Sequence, residues 1–244
     1  MSGSDSQRKS LPTIVLVPGM WHAASAWEAV VKLLEADGFP CVPVTLPGPG
    51  RAGGDATFHG HRDHLERVLA GVAGGVVLVG HSYGGAVIGE IRAVPAVRSM
   101  IFVAAFCLEV GESVAAVNDA QPGSDAGASA IVRSGDYLSM APETAKDAFY
   151  HDCPPAVTEQ AVASLTPEFH DTRTTRATRA AWREVPSHYV VCTQDRAIVP
   201  DVQRALAARL DSVREIDSGH CPMLSQPDRL AGIIADVAVR TTRQ

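Results

Sequence analysis

The segment VVLVGHSYGG, residues Val76–Gly85, decides the fold of this chain. Its first four residues are apolar and mostly β-branched, which is typical of a strand buried on both faces. They lead directly into GHSYG, residues 80–84, the one G-x-S-x-G match in the chain, and Gly84–Ala93 reads as a helix. A sharp strand-to-helix turn strains the central residue and leaves room only for small neighbours. The pattern therefore predicts that Ser82 is an exposed nucleophile.

Strand and helix patterns alternate on both sides of this segment. Strands are predicted at Thr13–Val17, Cys41–Val44, Val76–Val79, Met100–Ala104, His188–Cys192 and Val213–Ile216, and helices up to about Ala36, at Arg62–Gly71, at Gly84–Ala93 and around Leu230–Val237. This alternation predicts an α/β fold of three layers, in which a mostly parallel sheet of about six strands lies between helices. Residues 1–244 are expected to form a single domain.

The alternation breaks between residues 107 and 187. This stretch shows no convincing strand, and its plausible elements are short helices at Pro142–Tyr150 and Ala156–Leu165. We therefore expect a helical cap insertion that lies over the ends of the strands.

Net charge, the length of apolar stretches and the spacing of cysteines limit the classes of partner that this chain can have. The formal net charge of −6 gives no basic field for nucleic acid. No apolar stretch reaches the length of a membrane span, and the run Leu11–Val17 is too short for the core of a signal peptide. The five cysteines are scattered without a C-x-x-C pair, which favours reduced thiols. The expectation is a cytoplasmic monomer or homodimer that acts on a small molecule and contacts neither membrane nor nucleic acid.

A serine nucleophile needs a base, and nine histidines compete for that role. His220 follows the last predicted strand, and loops at the carboxyl ends of parallel strands face the site of an α/β sheet. The cluster of His59, His61 and His64 is expected to be solvated rather than to bind a metal. No metal and no cofactor is predicted.

Asp195, directly after the penultimate strand, is the predicted acid that orients His220. Glu109 and Asp201 remain rivals, although Asp201 beside a proline is also typical of a helix start. An oxyanion hole needs two backbone N–H groups, and Tyr83 and Met20 are predicted to provide them.

A plainer interpretation stays open at this point. Strand, glycine turn and helix also occur in nucleotide-binding folds, although this chain lacks both the P-loop ending and the G-x-G-x-x-G fingerprint. Independently of this, Pro18-Gly19 is also compatible with an ordinary turn.

With these residues in place, the chain resembles the α/β-hydrolase superfamily, in particular the compact branch of plant methyl esterases, hydroxynitrile lyases and bacterial esterases. The resemblance rests on VLVPGMWH (15–22), LVGHSYGG (78–85), FVAA (102–105), YVVCTQD (189–195) and GHCPMLS (219–225). It implies the α/β-hydrolase fold with a cap, a Ser82–His220–Asp195 triad, and Met20 and Tyr83 as oxyanion donors.

The chain departs from this branch at two positions. Pro18 stands where the family usually has histidine, which alters the oxyanion loop. Cys221 stands where the lyases carry a lysine that stabilises the leaving cyanide, and a neutral thiol does not favour that reaction.

The function expected from these features is hydrolysis of a carboxylic ester of a small, mostly apolar molecule through an acyl-enzyme. The residues predicted to bind substrate are Trp21, His22, Phe106 and Met223. Two alternatives remain: a cofactor-free lyase, cyclase or oxygenase in the same pocket, and a ligand-binding protein with a weak triad.

Overall fold

A computed structural model describes residues 11–49, 54–92, 95–120 and 131–241. The strands are β1 (Thr13–Val17), β2 (Cys41–Pro43), β3 (Val76–His81), β4 (Val97–Val103), β5 (Ile131–Ser134), β6 (Tyr137–Met140), β7 (Glu168–Phe169), β8 (Ser187–Cys192) and β9 (Ser212–Ile216). Six of them form a parallel sheet in the order β2-β1-β3-β4-β8-β9. The predicted six-stranded α/β fold is confirmed.

Helices surround this sheet. They are α1 (Glu28–Ala36), α2 (Phe58–Ala70), α3 (Tyr83–Glu90), α4 (Val114–Asp119), α5 (Pro142–Phe149), α6 (Pro155–Ala163), α7 (Asp171–Thr174), α8 (Pro200–Ala207), α9 (Pro222–Ser225) and α10 (Pro227–Thr241). Helix α1 packs against α10, α2 packs against α3, and α8 packs on β8. The apolar side chains of β1 and β3 are fully buried between these helices, which explains their uninterrupted hydrophobic sequences.

The register of the sheet gathers three loops at one edge. Gly80 in β3 is paired with Val17 in β1 on one side and with Phe102 in β4 on the other. The turn after β3 therefore lies between the loops that follow β1 and β4. Strands β8 and β9 continue the sheet beyond β4, so the loops after them open at the same carboxyl-terminal edge.

The insertion between residues 107 and 187 differs from its prediction. It contains α4 to α7, but β5, β6 and β7 also form a three-stranded antiparallel sheet. The expectation that this stretch holds no strand was wrong. Strands β5 and β6 form a hairpin around Gly135 (φ 59°) and are short and largely exposed, so their sequence carries little of the alternating burial that identifies strands.

The observed boundaries of two helices differ from the predicted ones by a few residues. Helix α2 begins at Phe58 rather than Arg62, because the Thr57 side chain caps it by accepting a hydrogen bond from the backbone N–H of Gly60. Helix α3 ends at Glu90, and Ala93, the predicted end, lies outside the described residues.

All five cysteines are free thiols in this structure. Of the described helices, even the longest, α10, falls short of the length and hydrophobicity that a transmembrane segment requires.

Candidate active site

Ser82 lies on a strained turn between β3 and α3. Its backbone has φ 51° and ψ −121°, a region that residues with side chains rarely adopt. The sequence permits this turn because a Cβ at Gly84 would lie 2.6 Å from the carbonyl oxygens of Val17 and Pro18, and one at Gly80 would lie 2.7 Å from the carbonyl oxygen of Gly84. The two glycines of the motif are thus required by close backbone contacts, as predicted.

His220 and Asp195 form a buried hydrogen-bonded pair. His220 Nδ1 lies 2.7 Å from Asp195 Oδ2, and both side chains are almost completely buried. Because a carboxylate only accepts, Nδ1 carries the proton, and the lone pair of a neutral imidazole is left on Nε2. This is the tautomer that a general base needs.

The rival acids lie in other contacts. Glu109 forms a surface ion pair with Arg183, and Asp201 is exposed and pairs with Arg204. Neither forms a hydrogen bond or an ion pair with His220 within the described ranges.

Four donors hold the Asp195 carboxylate. The backbone N–H groups of Ala197 and Ile198 donate to Oδ1 at 2.7 and 3.0 Å, and Gln203 Nε2 donates to Oδ2 at 2.8 Å beside His220. Gln203 is fully buried, and its Oε1 accepts the N–H of Cys192 at 2.9 Å. Gln203 was not predicted from the sequence, where its only signal is that of a polar residue on the inner face of a short helix that starts soon after Asp195.

The predicted oxyanion loop approaches Ser82 closely. A Cβ at Gly19 would lie only 2.9 Å from Ser82 Cβ, so only glycine allows this approach. Met20 N–H has no hydrogen-bond partner within the parts of the chain that the structure describes. Tyr83 is the first residue of α3, where backbone N–H groups point out of the helix toward the Ser82 side.

His22 stabilises the loop of Gly19 and Met20 through a hydrogen bond to the Met20 carbonyl. Its Nδ1 lies 2.7 Å from the carbonyl oxygen of Met20 and must donate to it, so Nε2 accepts the Tyr150 hydroxyl at 2.7 Å. Burial raises the pKa of Tyr150, which keeps this hydroxyl protonated.

Ser82 and His220 line one pocket of about 600 Å³, counted with its mouth, and the pocket wall is mostly apolar. Its lining residues are Met20, Trp21, Ser82, Tyr83, Phe106, Val114, Asn118, Ile131, Met140, Ala148, Phe149, Arg173, Ala197, Ile198 and His220. No hydrogen bond between the Ser82 hydroxyl and His220 is recorded for these described residues. Such contacts often tighten only when substrate binds.

Two of the four predicted substrate-binding residues line this pocket and two do not. Trp21 and Phe106 do, and Trp21 stacks on Phe149 with ring centroids 5.7 Å apart. His22 instead bonds the Met20 carbonyl, and Met223 is buried in the core at the start of α9. The prediction for these two needs correction, because proximity in sequence to Trp21 and His220 did not fix the direction of their side chains.

Two of the remaining histidines, His81 and His61, are buried and form structural hydrogen bonds. His81 is buried and donates from Nε2 to the backbone carbonyl of His220 at 2.8 Å. Burial, with the nearby His220 ring, holds the pKa of His81 well below its usual value. His61 is fully buried, donates to the carbonyl of Pro47 and accepts the Tyr83 hydroxyl, so the expectation of a solvated cluster was wrong for it.

Neither a cluster of metal ligands nor a charged side chain directly after His220 is found in the described parts of the chain. No group of three or more potential metal ligands occurs among residues 11–49, 54–92, 95–120 and 131–241. Burial raises the pKa of Cys221 well above its usual value, so a neutral thiol lies beside His220.

One tripeptide at the end of α5 reaches three loops around the site. Tyr150 bonds His22, His151 Nε2 donates to the Gln194 carbonyl at 2.9 Å, and Asp152 Oδ2 accepts the Gly219 N–H at 2.6 Å. The insertion is thereby joined to the loops that carry Met20, Asp195 and His220. No local sequence pattern marked these residues.

Comparisons with known proteins identify the family. The family model described as the alpha/beta hydrolase family matches residues 14–233. An alpha/beta hydrolase of Aspergillus novofumigatus is 28% identical over 243 residues, which cover 93% of this chain and 96% of that protein. Methylesterase 1 of Arabidopsis thaliana is 26% identical over 258 residues, which cover 96% of this chain and 98% of that protein.

A solved structure has the same fold. The pyrethroid hydrolase of Sphingobium faniae JZ-2 superposes with a TM-score of 0.80 at 24% identity, covering 93% of this chain and 97% of that chain. At this identity the likeness establishes the fold.

Proposed function

Because this chain belongs to the α/β-hydrolase family, we propose that it hydrolyses carboxylic esters of small, mostly apolar molecules with Ser82 as the nucleophile. One observation carries the proposal: Ser82 on its strained turn and His220 on its carboxylate partner open into the same apolar pocket. The likeness to a protein named methylesterase supports an ester as the bond cleaved.

The first half of the reaction forms an acyl-enzyme. Ser82 Oγ attacks the ester carbonyl carbon while His220 Nε2 takes its proton, and the carbonyl oxygen becomes an oxyanion that the N–H groups of Met20 and Tyr83 stabilise. The Asp195 carboxylate stabilises the imidazolium that results. The intermediate collapses when the bond to the alcohol oxygen breaks and His220 returns the proton to that oxygen.

The second half releases the acid. A water molecule gives its proton to His220 and attacks the acyl carbon, and the second intermediate expels Ser82 Oγ, which recovers the proton. Trp21 and Phe106 offer apolar surface for the substrate. The insertion serves as a cap, because its residues Ile131, Met140 and Phe149 line the pocket wall.

A chain-length series of p-nitrophenyl esters tests this function. The wild-type protein should release p-nitrophenol with a preference for one acyl length, and Ser82→Ala should lower kcat at least about a thousandfold. Ser25→Ala, on an exposed serine, is the matched control and should leave kcat unchanged. A fluorophosphonate probe should label Ser82, identified by peptide mass spectrometry. Equal turnover by wild type and Ser82→Ala would reject the proposal.

A further inference from the structure

Arg173 lies in the wall of the candidate active site. It comes from α7, is half-buried and lines the same pocket as Ser82 and His220. Its guanidinium has no hydrogen bond and no ion pair in the portions of the chain that are described. Other half-buried arginines are paired: Arg209, for example, binds Glu112 through two nitrogens at 2.6 and 2.9 Å.

Arg173 is partly removed from water in the pocket wall, and its guanidinium meets no acceptor of the described protein there. A guanidinium presents five N–H donors, and removing it from water without an acceptor costs free energy. Burial lowers the pKa of Arg173, and the field of Asp119 partly opposes this effect. Asp119 is exposed and forms no ion pair with Arg173. The group remains a cation.

The rest of the pocket favours an anion at Arg173. No Asp or Glu is among the described lining residues, so the described wall itself carries no negative side chain. The amide of Asn118, on α4, which packs against α7, is a second polar group in the wall. Around them the wall is apolar, and a charge pair is less screened there than in water.

We propose that Arg173 binds a free carboxylate on the substrate, so that the preferred esters are those that carry a second, unesterified carboxyl group. This proposal rests on the ester hydrolase function proposed above. A carboxylate matches the planar guanidinium in two parallel hydrogen bonds and neutralises its single charge. A phosphate dianion would leave excess negative charge in an apolar wall, which favours the carboxylate. The carboxylate binds and is not changed in the reaction.

Paired substrates test this specificity. Each p-nitrophenyl monoester of a linear dicarboxylic acid, from succinic to suberic acid, is compared with the p-nitrophenyl ester of the monocarboxylic acid of equal chain length. The readout is the ratio of kcat/KM between the two members of each pair. We expect wild type to favour the anionic ester about tenfold to a hundredfold at one chain length, the range of a charge-assisted hydrogen bond.

Variants assign the preference to Arg173. Arg173→Met should bring the ratio to about one. Arg173→Lys retains the charge but lacks the planar pair of N–H donors, and it should recover part of the wild-type ratio. Arg133→Met removes an exposed arginine of the insertion and should keep the wild-type ratio. A ratio that is unchanged in Arg173→Met, or near one in wild type at every length, would overturn the proposal.

Binding separates this inference from the reaction. In Ser82→Ala, calorimetry with monomethyl esters of the same dicarboxylic acids should show binding that the added Arg173→Met substitution weakens by about tenfold or more. That result would support the carboxylate site even if wild type hydrolysed none of the esters. Equal affinity with and without Arg173 would reject it, even if neutral esters were hydrolysed and the general function held.

Discussion

Asp152 Oδ2 accepts the backbone N–H of Gly219 at 2.6 Å, and Gly219 directly precedes His220. The same oxygen also accepts the Ser218 hydroxyl at 3.1 Å. A Cβ at Gly219 would lie 2.6 Å from Asp152 Oδ1, so the loop and the carboxylate are in close contact. A side chain of the insertion thus holds the loop that carries His220, and we infer that Asp152 is a positioning residue.

Asp152→Ala should lower kcat about tenfold or more with little change in KM, because a lost charge-assisted hydrogen bond leaves the loop free to move and is worth about 1.5–3 kcal/mol. Asp152→Asn keeps an acceptor oxygen and should recover part of kcat. Steady-state kinetics on a p-nitrophenyl ester measures both. Asp147→Ala, which removes an exposed ion pair with Arg196, is the control with an expected wild-type kcat. A change in KM alone would show that Asp152 does not act through His220.

Gln203 occupies a position beside Asp195 where a second carboxylate would be poorly tolerated. In Gln203→Glu, burial and the adjacent Asp195 should raise the pKa of the introduced carboxyl. The folded variant would then hold a proton that the unfolded chain has released above about pH 4.3, so its stability should fall as pH rises through that window. Urea denaturation should show a deficit relative to wild type that is larger at pH 8 than at pH 5. Equal deficits at both pH values would contradict this reading.

The pattern that locates the site is local, while the contacts that hold it are not. Gly80, Ser82 and Gly84 were predictable because the turn geometry itself demands small neighbours. Asp195 followed from its place after a strand, since parallel strands present their ends at one edge. Asp152 could not be predicted, because it meets Gly219 67 positions further along the chain, and no periodicity encodes that meeting.

The same limit explains the errors. The directions of His22 and Met223 depend on Tyr150 and on core packing, respectively, and so lie beyond a sequence pattern. The cytoplasmic location and the monomer or homodimer state stay predictions.

His81 should make stability depend on pH. Its pKa is held well below 6.5 in the folded protein by burial, whereas an unfolded histidine titrates near 6.5. The unfolded chain therefore binds the extra proton first, and the stability contributed by neutral His81 is fully present above about pH 6.5 and lost as pH falls. The titration of His81 should change the free energy of unfolding by up to about 1.4 kcal/mol per pH unit. Urea denaturation between pH 5 and 8 should show a shallower slope in His81→Gln. His170→Gln, at a half-buried site on the insertion, is the control, and an unchanged slope in His81→Gln would contradict the assignment.

Two glycine substitutions should have opposite effects, because the space around the two residues differs. A Cβ at Gly84 would lie 2.6 Å from backbone oxygens of the loop after β1, so Gly84→Ala must displace either α3 or that loop. We expect a loss of at least about 2 kcal/mol in the free energy of unfolding, in the range of overpacked cores.

Gly232 is exposed within α10, and a Cβ there meets nothing within 4 Å. Gly232→Ala should therefore stabilise the protein by about 0.4–1 kcal/mol through the lower entropy of the unfolded chain and the better helix propensity of alanine. Thermal and urea denaturation of both variants measures whether each substitution lowers or raises the free energy of unfolding. Because the oxyanion loop and Ser82 depend on the same contact at Gly84, that variant should also lose esterase activity in whatever fraction folds, while Gly232→Ala keeps it.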